Sequence, residues 1–254
     1  MRALPLSATL VAWGNAWLTG HVGLDEAMDA VEDASGPGVL TAVPGAPGEL
    51  PLRRGFAELR GAGLRALRLA RPAAGDPLGL AGPKELNIAA VAAGEAVLAE
   101  LGDGWVGLVP EDDHRGSSYT GVRWLGHPAN PANRSAVPPL AEADRELTLA
   151  LRDAADTLTA QGEQEVRPEL ADALMSVRGA QDAGGTNGLA PGYPARAHRV
   201  AALAGRLALV VDVALADATA NAGDAARRDS LREVDRAVRR ALVAACDSVF
   251  EPHR

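Results

Sequence analysis

From Leu140 onward, apolar residues recur every three or four positions. Leu140, Leu147, Leu151, Ala154 and Leu158 form one such series, and Leu231, Val234, Val238, Leu242, Ala245 and Val249 another. A spacing near 3.6 puts each series on one face of an α-helix, and such a stripe is stable only against a partner. The segment from roughly 138 to 254 must therefore fold as helices packed on one another, as an antiparallel bundle. Between the two series lie a short helical pattern near Pro168–Arg178 and the segment Ala195–Asp217, which is apolar on nearly every side. That apolarity makes the second segment the expected central helix, covered by the others.

Residues 1–127 read differently. Leu10, Trp13 and Trp17, then Leu24, Met28 and Val31, mark two short helices within residues 5–35, joined at Thr19–Gly23. The second carries Asp25, Glu26, Asp29, Glu32 and Asp33, a charge that would repel phosphates and so excludes a DNA-reading helix-turn-helix. Val39–Val43 and Leu64–Ala70 read as strands around a helix at Leu50–Arg60, an order that predicts a right-handed crossover between two parallel neighbours. Glu95–Leu101, Trp105–Pro110 and Thr120–Leu125 read as antiparallel strands, with Gly102-Asp-Gly104 as the first turn. The fold class expected is α+β: a small mixed β-sheet with an N-terminal helical hairpin (1–127) and a C-terminal antiparallel helix bundle (138–254), packed as one compact unit. Gly126–Pro139 is the join, and Gly179–Tyr193, with five glycines, reads as a mobile surface loop.

Charge narrows the function classes. The chain is net negative by 8, by 5 up to Asn130 and by 3 beyond it, and lacks the basic footprint a nucleic-acid binder needs. Lys84 is its only lysine, so its arginines reflect a general preference for Arg as much as phosphate recognition. Leu4–Leu18 lacks a signal-peptide cleavage pattern. The apolar run Val200–Leu215 contains Arg206 and Asp212, which a membrane span would not tolerate cheaply. Arg206 and Asp212 read instead as buried charges needing partners from other elements. Cys246 is the only cysteine, so no intrachain disulfide forms and a cytoplasmic location is expected.

No motif of high specificity for catalysis, metals or nucleotides is present, and neither a cofactor nor a metal is expected. Glu111-Asp-Asp-His114 reads as a solvated turn, because adjacent carboxylates diverge unless a dedicated loop gathers them. The most informative stretch runs from Arg71 to Asn87, half of whose Pro72–Pro83 core is Gly or Pro. It follows a strand and opens a helix, and the first amides of a helix carry a partial positive charge suited to an anion. Asp76, Gly79, Gly82, Lys84 and Asn87 are the candidate ligand-binding residues. The expected function is non-catalytic binding of a small anionic ligand or a partner protein. The alternative is an enzyme acting on an anionic small molecule through the same loop, with Asp76 or Glu95 as base. A third reading gives the last helix an assembly role. It carries Arg227, Arg228, Arg232, Arg236, Arg239 and Arg240, although interleaved acids predict a solvated, salt-bridged face there.

Leu4-Pro-Leu-Ser7, Trp13-Gly-Asn-Ala-Trp17, Gly75-Asp-Pro-Leu-Gly-Leu-Ala-Gly-Pro83 and Pro191-Gly-Tyr-Pro194 give the chain a resemblance to a group of proteins of unknown function from high-G+C actinobacteria. The resemblance implies that source and a cytosolic location. It implies no activity, ligand or catalytic residue.

Overall fold

The computed structural model describes residues 4–45, 48–115, 118–133, 135, 137–160, 188–220 and 225–251. The fold is α+β. Two helices come first, α1 (Leu6–Leu18) and α2 (Leu24–Ser35), followed by β1 (Gly38–Thr41), β2 (Leu50–Pro51), α3 (Leu52–Gly61) and β3 (Ala66–Ala70). Next come α4 (Lys84–Ala93) and the strands β4 (Ala96–Leu101), β5 (Gly104–Arg115) and β6 (Tyr119–Ala129). The helices α5 (Leu140–Ala160), α6 (Ala195–Ala220) and α7 (Ala225–Asp247) complete the chain, with a short 3-10 turn at Ser248–Phe250.

The strands form one sheet in the order β2-β1-β6-β5-β4-β3, mixed because β1 runs parallel to β6 while the other pairs are antiparallel. Strand alternation divides its side chains between two cores. Leu40, Leu67, Leu69, Val97, Ala99, Leu108 and Trp124 belong to the large core shared with α1, α2, α3 and the C-terminal helices. Ala70, Ala96, Leu98 and Val109 belong to a small core closed by Leu80, Leu86 and Ala90. Gly107 is what lets α4 sit so low, since a Cβ there would lie 2.5 Å from a methyl of Leu86.

The motif Trp13-Gly-Asn-Ala-Trp17 owes its character to the edge strand β3. Gly14 leaves no side chain between α1 and Leu67. Asn15, fully buried, donates from Nδ2 to the Leu67 carbonyl at 2.8 Å, and the Leu67 N–H donates to Asn15 Oδ1 at 2.9 Å. The side-chain amide thus supplies both partners that a neighbouring strand would have offered. Further along the same edge, Arg68 pairs with Asp247 at 3.2 Å and lies over the Phe250 ring at 4.0 Å.

Five expectations are corrected. The strands of the predicted crossover are not neighbours: β3 is the far edge of the sheet, and the parallel partner of β1 is β6. Strand and helix order is a local property, whereas pairing is settled by which faces bury together. Glu111–His114 is not a turn, because β5 continues to Arg115 in register with β6. Asp113 can be buried in that strand because Arg115 and Arg123 both reach it, at 2.6 and 3.0 Å. The hydrogen bond from Arg115 holds the Asp113 carboxyl below the ordinary carboxylate range, against its burial.

In the C-terminal half the central helix is α7 rather than α6. It packs against α5, α6, α1 and β3, and its run from Ala237 to Cys246 is buried apart from Arg240. Small residues at Ala237, Ala241, Ala244 and Ala245 allow that close approach. The apolar α6 instead leaves Val213 exposed and Leu209 and Val210 half-buried, with Arg206 half-buried and Asp212 exposed rather than buried. Finally, the described end of the predicted mobile loop is packed: Leu189, Ala190 and Tyr193 are buried, and the Tyr193 hydroxyl donates to the Cys246 carbonyl at 3.2 Å. The helix expected near Pro168–Arg178, and the rest of that loop to residue 187, lie outside the described residues.

Candidate functional site

After β3 the chain crosses beneath the small core toward the end of β6, and the Gly–Pro composition serves this path. Ala73 and Asp76 exchange backbone hydrogen bonds, each 2.9 Å, around Gly75 in the left-handed region. Leu78 then enters the large core and Leu80 the small one. Gly79, at φ +93°, runs close above β3, where an added Cβ would meet the Leu69 carbonyl at 3.3 Å. Its own carbonyl accepts the Asn133 N–H at 3.2 Å. The Gly82 carbonyl accepts the Asn130 N–H at 3.1 Å, and Asn130 Nδ2 donates to the Ala81 carbonyl at 3.0 Å.

Each predicted site residue has a definite place in this arrangement. Asn87 is brought to Gly82: its Oδ1 accepts the Gly82 N–H at 3.1 Å, so the side chain fastens the turn that precedes α4. Asp76 turns the other way, toward α7, where its carboxylate lies 2.9 Å from Arg239 Nη1. Arg239, only 7% exposed, also donates from Nε to Asp235 at 2.8 Å and from Nη1 to the Arg71 carbonyl at 2.9 Å. A guanidinium can be buried there because two carboxylates and a carbonyl replace its water. The solvated face expected for the last helix therefore stops short of Arg239. The related Arg240 reaches across to Glu146 of α5 at 3.1 Å.

Glu95 is likewise engaged. Its Oε2 accepts the Ser7 N–H at 2.8 Å, neutralising the start of α1, and Arg71 Nη1 lies 3.9 Å away. Both carboxylates considered as bases are thus paired with arginines. Among the described residues, no group of three or more His, Cys, Asp or Glu side chains could hold a metal ion.

Lys84 stands apart. It is exposed at the first position of α4 and, among the described residues, has no ion-pair partner. One and two turns on, along the same stripe, lie Ile88, 61% exposed, and Val91, 41% exposed. The helix is apolar on two sides, with Leu86 and Ala90 facing the sheet and Ile88 and Val91 facing outward. Sequence reasoning passed over this outer pair, although the spacing of Lys84, Ile88 and Val91 displays it.

Two family models match the chain: the one described as Rv1486c-like protein, N-terminal domain, over residues 7–138, and the one described as Rv1486c-like protein, C-terminal domain, over residues 141–243. No curated protein and no solved structure matches it. No helix among the described residues is long and apolar enough to cross a membrane.

Proposed function

The chain belongs to the Rv1486c-like protein family, and we propose that it is a non-catalytic binding protein of the actinobacterial cytoplasm whose ligand is another protein. The exposed stripe Lys84–Ile88–Val91 carries this reading. Isolated exposed aliphatic residues are ordinary on a protein surface, but two in succession behind a cation with no ion-pair partner among the described residues form a compact apolar patch with one charged end. Lys84 and the first amides of α4 present positive charge, with the exposed Glu85 beside them in the same turn, so the matching partner surface sets a carboxylate against Lys84 and an aliphatic side chain against Ile88 and Val91.

The partner-protein form is favoured over a small anion because Asp76 and Asn87 are engaged within the fold. That leaves Lys84 as the one side chain of the predicted set free to meet an anion. A solitary lysine in water binds small anions weakly, whereas adjoining apolar area adds affinity at about 25 cal/mol per Å² of surface removed from water. The lone, buried Cys246 supports the cytoplasmic part of the proposal.

The test is affinity capture from lysate of the source organism, comparing the native chain with Ile88→Glu/Val91→Glu and with Lys84→Glu. The expected result is a stoichiometric protein partner, lost with the double variant and weakened at least tenfold with Lys84→Glu, while all three chains melt within about 2 °C of one another. Capture unaffected by both variants would refute the assignment. A native chain that takes up no protein, yet is stabilised by an anionic metabolite pool in a Lys84-dependent way, would replace it with the small-ligand form.

A further inference from the structure

We draw no further inference here: the strongest candidate, the side-chain cluster of Arg115 and Arg123 around the buried Asp113 carboxylate on the β5–β6 arm, carries nothing because Asp113 and Glu49 already neutralise its two guanidiniums and nothing in the structure shows what would cover that face of the sheet.

Discussion

Replacing Asn15 by alanine removes both hydrogen bonds that hold α1 to the edge strand, at 2.8 and 2.9 Å. Alanine suits a helix interior better than asparagine, so propensity alone predicts a gain of up to about 0.7 kcal/mol. Packing predicts the opposite. The Leu67 N–H and C=O lie against the fully buried Asn15 side chain, and each loses that partner. An unpaired buried polar group costs about 1–3 kcal/mol, so the pair costs about 2–6. Subtracting the propensity gain leaves a net loss centred near 3 kcal/mol, which for a chain of this size lowers Tm by about 6–12 °C. Urea unfolding followed by tryptophan fluorescence measures the loss, since Trp13 and Trp17 flank the site. Native-state hydrogen exchange adds a local readout, because the Leu67 amide should lose protection beyond the global change. Asn15→Asp separates the two contacts: its carboxylate still accepts from the Leu67 N–H but faces the carbonyl without a donor, and should be at least as destabilising as alanine at neutral pH. A loss below about 1 kcal/mol for Asn15→Ala, with unchanged exchange at Leu67, would refute the reasoning.

Other outcomes follow from the buried charges. Arg239→Met strands Asp76 and Asp235 and should cost about 3–5 kcal/mol in urea unfolding, with part recovered by adding Asp76→Asn. Although Asp212 keeps contact with solvent, surrounding protein strips part of its hydration and raises its carboxyl above the ordinary range, with Arg71 opposing and Asp235 adding to the rise. A carboxyl raised on folding is stabilising when protonated. Stability should therefore rise as pH falls from neutral toward the unfolded-state value near 4, and Asp212→Asn should abolish that rise and add less than about 1 kcal/mol at pH 7. Asp113 works in the opposite sense: its depressed carboxyl contributes stability above pH 4 that is lost on further acidification, and Asp113→Asn should flatten the acid limb of the pH–stability curve. Burial pushes the Cys246 thiol far up, so a thiol reagent at pH 8 should label the native chain only after unfolding.

The helical second half was legible because a 3.6-residue period is a local property of the chain, and Leu147, Ala154, Val234 and Val238 all bury as that period requires. Which helix lies at the centre was not. Centrality went to α7, whose alanines permit close packing and whose Arg239 finds carboxylates 2.8 and 2.9 Å away, one of them 163 residues upstream. A guanidinium's burial depends on partners that only the fold assembles. The hairpin of β4 and β5 was readable from Gly102 and Asp103, yet the far placement of β3 depends on contacts between distant segments. At the candidate site, Gly79 and Gly82 both take positive φ, a freedom that glycine offers in any sequence. The sequence left open what that freedom serves: here it brings the chain close to β3 and to Asn130.

The asparagine on α1 also bears on whether this edge of the sheet can be extended. Sheets join or fibrillise where a rim of unspent peptide groups invites a foreign strand. One rim here ends in a strand of only two residues, and the opposite rim has its Leu67 peptide occupied by an amide from within. Neighbouring copies in a crowded cell therefore find little ladder to extend, and loosening that one amide should show first as precipitation.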